Sequence, residues 1–95
     1  PTMIRSFADK RTLAVFAGRH VRGLPTDVQE RAKLKLKVMD RIVRLDELLA
    51  PPGNRLEALK GERRGQHSIR INDQWRICFR WDGRDATDVE IVDYH

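Results

Sequence analysis

Gln66-His67-Ser68-Ile69-Arg70-Ile71-Asn72-Asp73-Gln74-Trp75-Arg76-Ile77-Cys78-Phe79-Arg80-Trp81-Asp82-Gly83-Arg84-Asp85-Ala86-Thr87-Asp88-Val89-Glu90-Ile91-Val92-Asp93-Tyr94-His95 divides by parity. Its odd positions hold His67, Ile69, Ile71, Trp75, Ile77, Phe79, Trp81, Val89 and Ile91. Its even positions hold Ser68, Arg70, Arg76, Cys78, Arg80, Glu90, Val92 and Tyr94. Side chains alternate across a strand with a period of two, so three short strands here present one apolar face and one polar face rich in arginine. Asn72-Asp73-Gln74 separates the first two strands, and Asp82-Gly83 is a hairpin signal between the second and third. The apolar face requires cover from elsewhere in the chain.

The upstream sequence supplies that cover. Ile4 to Phe7 alternates as a short edge strand, and Asp9 is placed to cap a short helix running to about Ala17, with Leu13 and Phe16 on its inner side. Gly18 and Gly23 break the chain, which leaves His20 as a solvated loop residue. Thr26 or Asp27 opens the longest helix, expected to reach about Leu49. Val28, Ala32, Leu36 (or Lys35), Met39, Ile42, Val43, Asp46 and Leu49 trace a stripe of 3.6-residue period, which Leu34, Val38, Leu45 and Leu48 widen. Arg31, Lys33, Lys37, Arg41 and Arg44 fall on the other face, and Pro51-Pro52-Gly53 ends the helix. Asn54 to Lys60 reads as a short extended or turn segment, and Gly61 to Gly65 as a loop. The expected fold class is α+β: two N-terminal helices packed on the odd face of a small antiparallel meander sheet, with the even face open.

Ninety-five residues suit one small domain with one core, assigned to residues 3–95. Pro1-Thr2 ahead of Met3 reads as a cloning remnant, with Met3 as the natural start. The lone Cys78 has no intramolecular disulfide partner, and no apolar run approaches the roughly 20 residues of a membrane span, so a cytoplasmic protein with no membrane association is expected. The net charge is +5 and unevenly spread. Residues 55–84 hold eight basic side chains against four acids, whereas residues 85–95 hold four acids and no lysine or arginine. A positive middle of this kind favours a polyanion, although charge alone leaves the partner open.

If the first hairpin pairs about residue 73, Arg70 lies opposite Arg76, and a second hairpin about residue 84 brings Arg76 beside Val92 and Tyr94. Arginines directly across from each other repel unless an anion lies between them or a neighbour such as Glu90 neutralises one. Metal-independent RNA cleavage uses the ribose 2′-hydroxyl as nucleophile. It needs a base, an acid for the leaving 5′-oxygen, and cations around the phosphorus. Histidine as a residue type exchanges a proton near neutral pH, arginine offers a bidentate cation, and tyrosine orients a proton or stacks on a base. His95, Tyr94 and Asp93 at the end of the chain, with Arg76 and Arg70 on the even face, assemble those parts. The three histidines and one cysteine show no zinc spacing, and no phosphate loop, nucleophile elbow or dinucleotide motif occurs, so neither metal nor cofactor is expected.

Three strings carry a resemblance: Gly53-Asn54-Arg55-Leu56-Glu57-Ala58-Leu59-Lys60-Gly61, Asn72-Asp73-Gln74-Trp75-Arg76-Ile77-Cys78-Phe79, and the terminal Asp93-Tyr94-His95. Together they resemble the HigB toxins of the RelE/ParE superfamily, also called plasmid maintenance system killer proteins, across essentially the whole chain from Met3. The resemblance implies a RelE-like microbial RNase fold and a type II toxin that cleaves mRNA in the A site of the 70S ribosome to inhibit translation. It also implies neutralisation by a HigA-like antitoxin bearing a helix-turn-helix domain, with operator DNA bound only through the toxin–antitoxin complex. Carried over by position, Asp93, Tyr94, His95 and Arg76 match the catalytic cluster, and Lys60 lies in the matching Leu-Lys-Gly segment. Arg70, Arg63 and Arg64 join it as candidates for contact with RNA. Glu57 stands where the best-studied members carry a catalytic histidine; a carboxylate can serve as base but not as a cation. Two other readings stay open: a ParE-like non-enzymatic inhibitor of DNA gyrase, and a weakly active toxin acting mainly as antitoxin partner.

Overall fold

A computed structural model describes residues 4–94; Pro1, Thr2 and Met3, with the expected remnant and start, and His95 lie outside it. Its element order is α1 (Lys10–Phe16), α2 (Thr26–Met39), β1 (Glu57–Ala58), β2 (Gln66–Arg70), β3 (Trp75–Trp81) and β4 (Ala86–Asp93), with single 3₁₀ turns at Leu45–Leu49, Pro52–Asn54 and Gly61–Arg63. The four strands form an antiparallel meander in the order β1-β2-β3-β4. Three strands were expected from parity. The fourth, β1, is two residues long, too short for an alternation to show, and lies in the segment read as extended or turn.

Odd-numbered side chains fill the core as expected. Ile69, Ile71, Trp75, Ile77, Phe79, Val89 and Ile91 pack against Val15, Val28, Ala32, Leu36, Met39, Ile42 and Leu48. Arg70 pairs with Arg76 and Arg76 with Val92, the predicted register. Beyond Cys78 that register slips, because Arg80 faces Thr87 and Trp81 faces Ala86. Asp88 is the extra residue of a β-bulge, in the left-handed region at φ 52°, and this turns Ala86 inward against the parity rule.

The N-terminal segment follows β4 in parallel, through bridges Ile4–Ala86 and Phe7–Val89. Asp9 caps α1, its Oδ1 accepting from the Thr12 amide at 2.8 Å. α1 is rotated from the expected face: Thr12 and Val15 are buried and Leu13 is exposed. The Ile91 amide donates to Thr12 Oγ1 at 3.0 Å and Arg11 donates to the Ile91 carbonyl at 3.0 Å, which orients the helix and closes the free edge of β4.

α2 ends at Met39 rather than continuing to Leu49. Glu47 Oε2 accepts from the Val43 and Arg44 amides, at 2.8 and 2.9 Å, donors a continuing helix would have used internally. The bend sends Ile42 and Leu48 into the core and leaves Val43 and Leu49 exposed, while Leu34 and Val38 lie on the outer side of α2 itself. Hence the apparent width of the hydrophobic stripe is not a wide buried face.

The even face is not open either. Ser68, Arg76 and Cys78 are buried. β1 adds to the edge of β2 with Glu57 opposite Ser68, and the 3₁₀ turn at Gly61–Arg63 follows it, with Arg63 reaching Glu90 of β4. Part of the polar face is thereby roofed by the chain itself.

Candidate active site

The end of the even face nearest the Asn72-Asp73 turn remains a cleft of about 330 Å³, lined by Arg55, Glu57, Arg70, Asn72, Asp73, Arg76 and Tyr94. Partners facing one another in an antiparallel sheet point to the same side. Glu57, Ser68, Cys78 and Glu90 therefore make one cross-strand row, and Arg70, Arg76 and Val92 the next.

Arg76 is the centre of the site and only 8% exposed. Its Nε donates to Ser68 Oγ at 2.8 Å, and its Nη2 donates to the Arg55 carbonyl at 2.6 Å. Glu57 Oε1 lies 3.8 Å from Nη2, and the guanidinium carbon is 5.7 Å from the centre of the Tyr94 ring. A buried cation needs such acceptors to offset its lost hydration. Arg55 meets the demand by adopting φ 45°, after the 3₁₀ turn at Pro52–Asn54. Arg70 is paired with Asp73 in the turn, where Asn72 Oδ1 accepts from the Gln74 and Trp75 amides. Two arginines thus stand abreast, each with a carboxylate at the cleft lip. Glu90, the neutraliser weighed from sequence, instead takes Arg63 at 3.3 Å. In the row that holds Ser68 and Glu90, Cys78 is buried, and burial pushes its thiol pKa up from 9.0.

Of the residues singled out from sequence, Arg70, Arg76, Glu57 and Tyr94 converge on the cleft. Asp93 does not line it: it faces Trp75 in register, and Gln74 Nε2 donates to its carboxylate at 3.1 Å. Arg63 is engaged with Gln66 and Glu90, while Lys60 and Arg64 flank its 3₁₀ turn as exposed residues outside the cleft lining. His95 lies outside the described residues; Tyr94, the residue before it, lines the cleft. Ser68, Arg55 and Asp73 also belong to the site, as the partners of Arg76 and Arg70. Ser68 shows a weak signal, a small hydroxyl beside Arg70 on the polar parity; the Arg55 carbonyl shows none, because any residue has one. Among the described residues no group of three or more histidine, cysteine or acidic side chains converges to hold a metal.

Three arginines and two acids line the cleft, so its wall combines fixed cations, of the kind that pair with phosphate oxygens, with a half-exposed carboxylate. Comparison with known proteins points the same way. The family model described as RelE-like toxin of type II toxin-antitoxin system HigB matches residues 5–95. Toxin HigB-1 of Vibrio cholerae serotype O1 is 40% identical over 63 residues, 66% of this chain and 65% of that protein's length. Endoribonuclease HigB of Proteus vulgaris is 33% identical over 97 residues, covering 98% of this chain and 100% of the relative. Among solved structures, a chain of the YoeB-YefM complex from Staphylococcus aureus superposes with a TM-score of 0.60 over 97% of both chains at 18% identity, a likeness of fold.

Proposed function

The chain belongs to the HigB family, RelE-like toxins of type II toxin–antitoxin systems, and from that premise we propose that it is an endoribonuclease cleaving mRNA in the ribosomal A site. The observation that carries this reading is the pairing of Arg70 and Arg76 across β2 and β3, with Glu57 and Tyr94 in the same cleft.

The scissile phosphate takes the place of the two carboxylates against Arg70 and Arg76. Glu57 accepts the proton of the ribose 2′-hydroxyl as that oxygen bonds to phosphorus. The bond from phosphorus to the 5′-oxygen then breaks, and His95 protonates the departing oxygen. The products are a 2′,3′-cyclic phosphate and a 5′-hydroxyl end. Arg76 is held by Ser68 and the Arg55 carbonyl before substrate arrives, so the positive charge is organised in advance. Tyr94 orients His95 or stacks on the base. Asp93 acts through Gln74 and the C-terminal backbone, while Lys60, Arg63 and Arg64 contact flanking RNA. The partners in this scheme are cytoplasmic ribosomes with their mRNA, and a helix-turn-helix antitoxin that carries the complex to operator DNA.

Mapping mRNA 5′ ends after inducing the chain tests the reading. New ends in phase with codons are expected. Intact messages accompanied by DNA damage would reassign the protein to gyrase inhibition, and no growth arrest without antitoxin would leave only a binding role.

A further inference from the structure

Asn54 carries a polar side chain, only 3% exposed, that the cleavage scheme does not use. Its Nδ2 donates to the Leu48 and Ala50 carbonyls, at 3.2 and 3.1 Å, and its Oδ1 accepts from Lys35 Nζ of α2 at 2.5 Å. Both amide protons and the oxygen are therefore engaged, and turning the amide over would set its oxygen against two carbonyls. The 3₁₀ turns at Leu45–Leu49 and Pro52–Asn54 are tied to α2 at this one point. The next residue, Arg55, stands at φ 45° and ψ 56°. Among the described residues only Arg55 and Asp88 combine a side chain with a positive φ, and Asp88 belongs to the β-bulge. A side chain disfavours that backbone, which persists only where its surroundings impose it. Glycine would take the turn without resistance, yet the side chain present is an arginine that lines the cleft. Its carbonyl accepts from Arg76 Nη2 at 2.6 Å.

We propose that Asn54 is a positioning residue for Arg76. Clamped by Lys35 and two carbonyls, it holds Arg55 in the left-handed conformation that aims the Arg55 carbonyl at the Arg76 guanidinium. The proposal rests on the reading of the cleft as a site of mRNA cleavage. Ser68 Oγ takes Nε and the Arg55 carbonyl takes Nη2, so two points fix the plane of the guanidinium. Losing the second lets that plane turn about the first. A catalytic group displaced by about 1 Å costs about a hundredfold in rate. Asn54 does not line the cleft, so its effect passes through the backbone of Arg55.

The test is Asn54→Asp in the full chain, which keeps the side chain's shape and its Lys35 partner but removes both donors to the carbonyls. Single-turnover cleavage on programmed ribosomes, below the onset of each variant's melting curve, reads the saturated rate and the half-saturation point. The Arg76 Nε–H resonance of isotopically labelled chain reads the guanidinium with no substrate present. The resonance is expected to shift, the saturated rate to fall at least about tenfold, and half-saturation to move less than about threefold. In an Arg76→Lys background the same substitution is expected to cost less than about threefold, because the group it positions has gone. An unmoved resonance, a wild-type rate, or an equal loss in both backgrounds would each overturn the proposal; the last would make Asn54 a structural tie. If Asn54→Asp fails to fold, Lys35→Met takes its place, since it frees the amide oxygen alone. The same readings, smaller in size, are then expected, and the same three results overturn the proposal. No cleavage by the wild-type chain would overturn the nuclease reading instead, and a shifted resonance would still place Asn54 behind Arg76.

Discussion

Replacing Glu57 by glutamine separates two roles that its position allows. The carboxylate lies 3.8 Å from the Arg76 guanidinium on a side chain 53% exposed. Although Arg76 is buried, the carboxylate is half in solvent and its loss leaves the bonds to Ser68 and the Arg55 carbonyl in place, so the pair contributes about 1 kcal/mol to stability. In a chain of this size that is a shift of less than about 8 °C in Tm. Removal of a general base, by contrast, costs about 10²–10⁴-fold in rate, or roughly 3–5 kcal/mol of barrier. Single-turnover cleavage on ribosomes programmed with labelled mRNA reads the rate, and binding of a short RNA reads the ground state. Cleavage is expected to fall at least about a hundredfold, with binding unchanged or tighter because a negative charge has left Arg76. Cleavage equal to or faster than wild type, with tighter binding, would refute the base assignment and make Glu57 a screen over the arginine. A loss of Tm well beyond 8 °C would make it a structural strut.

Arg76→Ala is expected to lose both cleavage and stability, unlike the cleavage-only effect an open polar face implies. Ser68 Oγ and the Arg55 carbonyl lose their donor, at about 1–3 kcal/mol for each group left buried and unpaired, which thermal melts will show. Asp9→Ala removes the acceptor for the Thr12 amide, and a fall of about 1 kcal/mol by denaturant titration is expected, with cleavage unaffected. Glu47 and Asp82 each accept backbone amides, which lower their pKa from 4.5 and 3.8. The unfolded chain therefore binds protons first, so their contribution is present above those values and is lost as pH falls through the lower folded ones. Glu47→Gln with Asp82→Asn should flatten the acid limb of a stability–pH curve. Cys78, buried and with its thiol pKa raised, should resist thiol reagents at pH 8 until denaturant is added; prompt labelling of native protein would contradict its burial.

Amino-acid order alone determined the helix-then-meander architecture and the confrontation of Arg70 with Arg76. Both follow from short-range periodicity: a two-residue alternation sets the faces, and a turn centred on Asp73 sets which residues meet. The HigB resemblance was equally legible, because its strings are contiguous. Tertiary structure decided what those strings surround. A two-residue strand at Glu57–Ala58 is too short to announce itself, yet its pairing with β2 delivers Glu57 to the cleft and helps bury the row behind it. The bond from Arg76 to the Arg55 carbonyl spans 21 residues and uses a backbone atom common to every residue. The end of α2 at Met39 depends on Glu47 capturing amides that an apolar stripe would have assigned to the helix. Faces and turns are properties of neighbours in the chain; burial of a charge, and the acceptors that permit it, arise only when distant segments meet.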